Sequence, residues 1–248
     1  MATVLSGTSG ALYYTPAGTS VTTLAAGAFP ATGANITVGS YLGFKVNDPV
    51  TLTYPAGAVT TNAIPAGPYF VKTYVASTGI MTISSTAGGS AVTATAAPSG
   101  FGANFASITY TAPAVVGSVR EWSFEITRSE IDVTTIGQEV GQYAPFRTYI
   151  TGFADGSGSA TVYTTDDDTS LSSRMIEDVI QRTQAGAQMK LYIDRIVASG
   201  TVNDTTSRSI TVPVILTSAS LTVNPDDGQS VEIAFRPSEA PTFDLAKS

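Results

Sequence analysis

Alternation of apolar and polar residues runs through most of this 248-residue chain and predicts a mainly β protein. In the first half, residues 51–54, 69–75 and 80–84 alternate or are rich in β-branched and aromatic side chains. Glycine, proline, asparagine and serine bound these runs, as turns between strands require. No stretch of this half combines helical periodicity with capping residues, so we predict a small all-β module here.

The second half continues the period-two pattern almost to its end. Predicted strands cover residues 122–128, 190–197, 209–216, 219–223 and 230–235. Another strand begins at Tyr149 and resumes at Ser159, because the intervening Asp155-Gly-Ser-Gly158 is most simply a hairpin turn. Pro213 indicates a sheet edge or a bulge, since proline cannot donate to a ladder of backbone hydrogen bonds.

One segment of the second half has helical periodicity instead. Leu171, Met175 and Val179 are spaced four residues apart and form one apolar stripe. Asp168 or Thr169 can cap its start, and a glycine at position 186 lies just beyond its end. The pattern predicts one helix over about residues 169–184, packed on a sheet.

Charge is distributed unevenly along the chain. Residues 1–112 hold two lysines and one aspartate, a net charge of +1. Residues 113–248 hold ten basic and eighteen acidic residues, a net charge of −8, which brings the whole chain to −7. So large a change in composition indicates a domain boundary. We therefore predict an N-terminal all-β module over residues 1–112 and a second domain over residues 113–248.

The composition excludes several kinds of chemistry. The chain has no cysteine and no histidine, so it cannot build a thiol nucleophile, a disulfide, a Cys/His zinc site or a Ser-His-Asp triad. The sequence contains no run of about 18 apolar residues, so no transmembrane helix is predicted. The N-terminal residues have no basic segment followed by an apolar core, so no secretory signal is expected.

Carboxylate clusters are the remaining candidates for chemistry, and each has a simpler structural explanation. The three aspartates at 166–168 precede the predicted helix, where acidic groups meet the positive end of its dipole. Asp226-Asp-Gly228 has the composition of a turn. Glu125, Glu130 and Asp132 offer an acid/base pair of the glycosidase kind, but a solvated strand face is far commoner. No phosphate-binding glycine motif occurs. We therefore predict no catalytic, cofactor-binding or metal site.

Two stretches of the second half resemble tail tube proteins of long-tailed bacteriophages. Residues 119–137, which contain Asp132-Val-Thr-Thr135, resemble the strand that opens that family's fold. Residues 146–159 resemble the strand that returns after a loop, and a helix and further strands follow in the family's order. The resemblance covers about residues 113–245. The N-terminal module resembles small β modules of phage virion proteins through the phrase Lys45-Val-Asn-Asp-Pro-Val and the later Tyr-Phe-Val-Lys72.

This resemblance implies a β-sandwich or partly closed barrel with one flanking α-helix. Six subunits would form a ring, and stacked rings would form the tail tube, the channel for genome delivery. The implied partners are other copies of the chain and tail components such as terminator, tape measure and baseplate or tip proteins. DNA would pass through the lumen without specific binding, and no membrane or cofactor is implied. The chain would be made in the host cytoplasm and located in the virion tail.

The resemblance also implies that rings stack through the loop over residues 129–148. Its candidate contact residues are polar or aromatic: Glu130, Asp132, Gln138, Glu139, Gln142, Tyr143 and Arg147. The acidic excess of the second domain suits a channel that repels DNA phosphates. The nearly uncharged N-terminal module is expected on the tube exterior, because a channel lining would share the acidic bias.

Two other functions stay open beside this structural one. A carbohydrate-binding or adhesion protein of a phage or cell surface would use exposed tyrosines such as Tyr13, Tyr14 and Tyr54 as sugar platforms. A glycan-cleaving enzyme would use Glu125 and Glu130. We rank the structural protein first, because the chain lacks reactive side chains and its acidic excess lies in the tube-like segment.

Overall fold

The computed structural model describes residues 9–111, 114–116, 119–134, 147–163, 171–180, 184, 186–198, 200–223 and 228–245. Within these residues it contains two large antiparallel β-sheets, a two-stranded ribbon and one α-helix. The protein is therefore mainly β, as the sequence predicts.

Eight strands precede residue 116. They are β1 (Ala11–Thr15), β2 (Ser20–Leu24), β3 (Ile36–Thr37), β4 (Pro49–Thr53), β5 (Gly67–Val75), β6 (Ile80–Ser84), β7 (Ala106–Tyr110) and β8 (Ala114–Val115). The predicted strands in this half are confirmed as β4, β5 and β6. Their alternate residues, such as Val50, Val71 and Ile83, are buried in one apolar cluster.

The remaining strands are long, and one helix interrupts them. They are β9 (Val119–Asp132), β10 (Tyr149–Tyr163), α1 (Leu171–Ile180), β11 (Gln188–Asp194), β12 (Val197–Ala198), β13 (Thr201–Val202), β14 (Arg208–Thr222), β15 (Ser230–Pro237) and β16 (Thr242–Asp244). The predicted helix is confirmed, and its apolar stripe packs inward: Leu171 and Met175 are buried and Val179 is partly buried.

Two sheets divide the strands. One sheet has six strands in the order β2-β7-β4-β5-β6-β3. The other has the order β8-β1-β11-β14-β15-β10-β9, with β16 also paired to β14, and curls into a half-barrel. Helix α1 packs on β14 and β15 and covers the apolar core inside this curl. We call the four-stranded part β14-β15-β10-β9 the wall sheet.

The first strand belongs to the sheet of the second half of the chain. Strand β1 pairs with β11 on one side and with β8 on the other, where Tyr13 lies opposite Val115. The segment between β1 and β8 thus leaves the larger sheet and returns to it through neighbouring strands. The boundary near residue 112 stays a prediction. We propose that the module is an insertion of about residues 19–111 and that β1 is part of the second domain.

The turn predicted at residues 155–158 is wrong, because β10 runs through it without interruption. The glycines of this stretch serve close packing inside the sheet. A Cβ on Gly158 would lie 2.6 Å from Cε2 of Phe235 and 2.7 Å from the carbonyl oxygen of Ser123. Glycine at this position makes room for the Phe235 ring, which stacks on Phe124 with ring centroids 6.2 Å apart.

Pro213 lies in the middle of a strand, where its missing N–H is harmless. The first part of β14 pairs with β16 and the second part, from Val214, pairs with β15 on the same side. Pro213 stands between these two partners, and its carbonyl accepts a hydrogen bond from the Ser238 N–H at 2.9 Å. The proline marks a change of partner along one edge of the strand.

Candidate assembly surfaces

One face of the wall sheet packs against the apolar core inside the larger sheet. Along β9 and β10 the inward pairs are Trp122 opposite Ala160 and Phe124 opposite Gly158. On β15 the inward residues Ile233 and Phe235 are fully buried. Period-two alternation therefore fixes the direction of every other side chain on these strands.

The opposite face of the wall sheet is polar and exposed. Its β9 and β10 residues are mainly serine and threonine, and Ser123 Oγ lies 3.0 Å from Ser159 Oγ across the strands. The charged residues on this polar face are Arg120, Glu121, Glu125, Asp155, Glu232 and Arg236, all exposed. Arg236 lies 3.6 Å from Asp155, and the described part of this face carries four carboxylates against two guanidinium groups. The face is acidic.

Both side edges of the wall sheet are open among the described residues. Strand β9 pairs only with β10, so its other edge is unpaired along the strand. At the far side, residues 217–222 of β14 pair with β15 but with no described strand on their other edge. The Gln184 side-chain amide covers that edge only at Leu216, where it both donates to and accepts from the backbone. Open edges of this kind are templates for pairing with another chain.

The far ends of β9 and β10 extend beyond the core as a two-stranded arm. In residues 126–133 of β9 and 149–155 of β10, nearly every side chain is exposed. Large apolar residues are exposed there: Ile126, Ile131, Val133, Tyr149, Ile150 and Phe153. Phe153 stands at a register shift between the strands and is 92% exposed. Exposed apolar surface of this kind indicates a binding partner.

The arm contains two of the seven residues predicted for ring stacking, and a third, Arg147, lies just before its second strand. Glu130 and Asp132 lie on one face of β9, which continues to Asp132 rather than ending near residue 129, so the predicted loop begins later. Arg147 lies 3.7 Å from Asp132, and hydrogen bonds from Thr134 hold the pKa of Asp132 below its usual value. The other four, Gln138, Glu139, Gln142 and Tyr143, lie outside the described residues. The acidic clusters at 166–168 and 226–227 lie outside them too.

A buried ionic cluster joins the N-terminal module to helix α1. Arg174 on α1 is only 5% exposed, and its Nη1 donates to both carboxylate oxygens of Asp48 at 3.2 and 3.1 Å. Its Nη2 donates to the carbonyl of Gly43. On the other side, Arg174 Nε lies 3.6 Å from Asp178, a buried residue of the same helix. One guanidinium thus faces a carboxylate from each unit.

Tyr14 of β1 completes this junction. Its hydroxyl donates to Asp178 at 2.7 Å, and burial raises the pKa of Tyr14 and of Asp178. Burial likewise raises the pKa of Asp48, and Arg174 acts in the opposite direction on both carboxyls. Gly43 lets its segment of the chain approach the segment around Ala17, because a Cβ at position 43 would collide with the Ala17 carbonyl oxygen. The sequence pattern does not predict this junction, although a lone acidic residue in an almost uncharged module is a signal for it.

The tyrosines proposed as sugar platforms are not free aromatic surfaces. Tyr14 is fully buried, so the prediction is wrong for it. Tyr13 is half-buried with its ring 5.1 Å from that of Tyr192. Tyr54 packs between Phe29 and Phe101 and donates its hydroxyl to the Ile64 carbonyl.

The carboxylates considered for catalysis are far apart or exposed on a strand. Glu125 and Glu130 are five residues apart on β9, which places them on opposite faces and roughly 16 Å apart along the strand. Glycosidase carboxyl pairs are about 5–10 Å apart. In the described part of the chain, no group of three or more acidic residues is arranged to hold a metal ion. No helix among these residues is long and apolar enough to cross a membrane.

Comparisons with known proteins give structural neighbours only. No protein-family model matches the chain, and no curated protein matches its sequence. Similar solved structures are a chain of the virion of a native gene transfer agent particle (TM-score 0.38, 17% identity, 53% of this chain and 88% of that chain) and one of the tail of an empty gene transfer agent particle (TM-score 0.38, 17% identity, 54% and 87%). A third is the SPP1 tail tube (TM-score 0.30, 15% identity, 50% and 65%). These neighbours come from a virion and from tails.

Proposed function

We propose that this chain is a structural subunit of a phage tail tube and is located in the virion tail. The observation that carries the proposal is the wall sheet, which has one buried face, one acidic polar face and two open edges. A monomer gains nothing from open edges on both sides of one sheet. A subunit that must join identical neighbours on both sides needs them.

The open edges suit closure into a ring. If β9 of one subunit pairs with residues 217–222 of β14 in the next, each subunit uses one edge of each kind. Such a heterologous contact closes a ring when the rotation that relates neighbouring subunits brings the last subunit back to the first. Stacked rings then extend as a filament. Sixfold closure is what the sequence resemblance implies. The joined wall sheets would form one continuous cylinder without free edges.

The acidic polar face would line the channel. Four carboxylates per subunit would present a negative surface to a passing nucleic acid, whose own phosphates are negative. Binding to DNA requires the opposite, neutralisation of phosphates by lysine and arginine. The genome would therefore pass without sticking, while terminator, tape measure and baseplate or tip proteins would meet the tube at its ends and inside it.

The arm would reach the next ring and carry the stacking contacts, including Glu130 and Asp132, with Arg147 just before its second strand. The inserted module would stand on the exterior. Its described surface is almost free of charge, because Asp48 is buried at the junction and Lys45 pairs with Glu177. A carbohydrate-binding function has no comparable support, since the proposed tyrosines are buried or packed.

The proposal is tested first by electron microscopy of the purified chain. We expect rings or tubes of constant diameter at high protein concentration, and a mass well above 25.5 kDa by light scattering. Fractions that stay monomeric and featureless over a wide range of concentration and salt would overturn the proposal.

Selective labelling tests which face lines the channel. The chain has no cysteine, so Ser157→Cys on the acidic polar face and Ser77→Cys on the module each create a single thiol. Both serines are exposed in the subunit, so both thiols should react equally there. In tubes, we expect a bulky polyethylene-glycol maleimide to label position 77 and to be excluded from position 157. Protection at position 77 and labelling at position 157 would instead put the module inside the channel and the acidic polar face on the exterior.

A further inference from the structure

Beside the arm lies an apolar groove that the described residues leave unfilled. Its volume is about 360 Å³, and its apolar lining comes from Ile126, Ala154, Pro237, Ala240 and Pro241. It continues the buried face of the wall sheet past the last core layer, where Gly156 stands between Ile126 and Pro237. The core packing therefore stops at this point and leaves an apolar surface open.

The same chain carries an aromatic side chain with no contact surface of its own. Phe153 is 92% exposed, the most exposed large apolar residue in the described chain. It stands at the register shift between Thr151 and Ala154, where Ser129 Oγ donates to its carbonyl and holds the local backbone. Although Phe153 precedes Ala154, it is not part of the groove lining.

We propose that Phe153 of one subunit inserts into this groove of a second copy of the chain. The inference rests on the proposed self-assembly and names a specific contact within it. Burying a phenylalanine ring removes roughly 150–250 Å² of surface from water. The groove lies at the lower end of the usual size of small-molecule pockets, roughly 300–1,000 Å³, and so suits a single ring. Glu239 also lines it, and a carboxylate favours the positive edge of an aromatic ring.

The contact has a direction, because the aromatic residue and the groove are different parts of the surface. When the receiving copy inserts its own ring into a third copy, the contact is heterologous and propagates from copy to copy. Each subunit gives one ring and receives one, which is the requirement for a closed ring or an extended stack. Phe153 and the groove both lie near the base of the arm, where neighbouring copies would meet.

Cysteine cross-linking tests this contact in the assembled protein. Chains carrying Phe153→Cys and Ala240→Cys are mixed, assembled and oxidised. Since the natural chain has no cysteine, a covalent dimer joining the two variants reports the proposed proximity. The matched control replaces Phe153→Cys by Tyr41→Cys, which alters an exposed aromatic residue of the module and should give no such dimer.

A second variant measures the strength of the contact. We expect Phe153→Ser to raise the concentration needed for assembly about ten- to hundredfold, and Tyr41→Ser to leave it unchanged. If tubes form but the 153–240 dimer is absent, or no stronger than the control, the contact is wrong and the tube function stands. If the natural chain forms no assemblies at all, both proposals fall.

Discussion

Replacing Arg174 with methionine is expected to lower the free energy of unfolding by about 3–5 kcal/mol. The guanidinium is the buried cation that faces both Asp48 and Asp178, and Lys45 lies farther out at the rim. Methionine fills much of the space but leaves two carboxylates buried without compensation. Thermal or urea unfolding of the full chain measures the loss directly.

Two variants separate this effect from a loss of packing. Glu177→Ala removes the partly exposed ion pair with Lys45 on the same helix and should cost less than about 1 kcal/mol. Adding Asp48→Asn and Asp178→Asn to Arg174→Met removes the unpaired charges and should restore most of the stability. An Arg174→Met variant no less stable than Glu177→Ala would show that the junction contributes little.

The loss in free energy of unfolding caused by Arg174→Met should also depend on pH. Burial already raises the pKa of both carboxyls, and removing the cation raises each further. A carboxyl whose folded pKa is raised gives its full stability below the unfolded value, near 4, and loses it as pH rises through the folded value. The difference between the variant and the natural chain should therefore be larger at neutral pH and shrink toward pH 4.

Local pattern predicts the strands and the helix well, because the residues of each element alternate or repeat against one of two apolar cores. The stripe of Leu171, Met175 and Val179 packs where its spacing places it. Prediction from the local sequence pattern is wrong at Gly156 and Gly158. Their glycine-rich sequence is typical of a turn, but the tertiary structure uses the missing side chains to admit Phe235 and Pro237.

Contacts distant in sequence were beyond prediction from one chain. Asp48 and Arg174 are 126 residues apart, and no sequence feature near either residue identifies the other as its partner. The pairing of β1 with β11 joins Ala11 to Tyr192 in the same way. Composition predicts a boundary near residue 112, but it could not show that β1, which precedes that boundary, pairs with β11 beyond it.

Proline at Arg128 is expected to abolish ring formation while leaving the subunit folded. A Cβ on Gly156 would lie 3.2 Å from the Glu125 carbonyl oxygen, and the Ser123 carbonyl is similarly close to Gly158. Odd-numbered residues of β9 therefore point their backbone groups at β10, and even-numbered ones point them at the open edge. Arg128→Pro removes an N–H on the open edge and puts a ring in the path of a neighbouring strand.

The adjacent position supplies the matched comparison. Thr127→Pro removes an N–H that faces β10, so it should cost roughly 1–3 kcal/mol in unfolding experiments on the subunit. Arg128→Ala removes the same charge as the proline variant without blocking the edge, and it should assemble normally. Electron microscopy and circular dichroism on the three variants separate assembly from folding. Intact rings from Arg128→Pro would exclude β9 as the joint between subunits, because a proline in that ladder leaves no route to a continuous sheet.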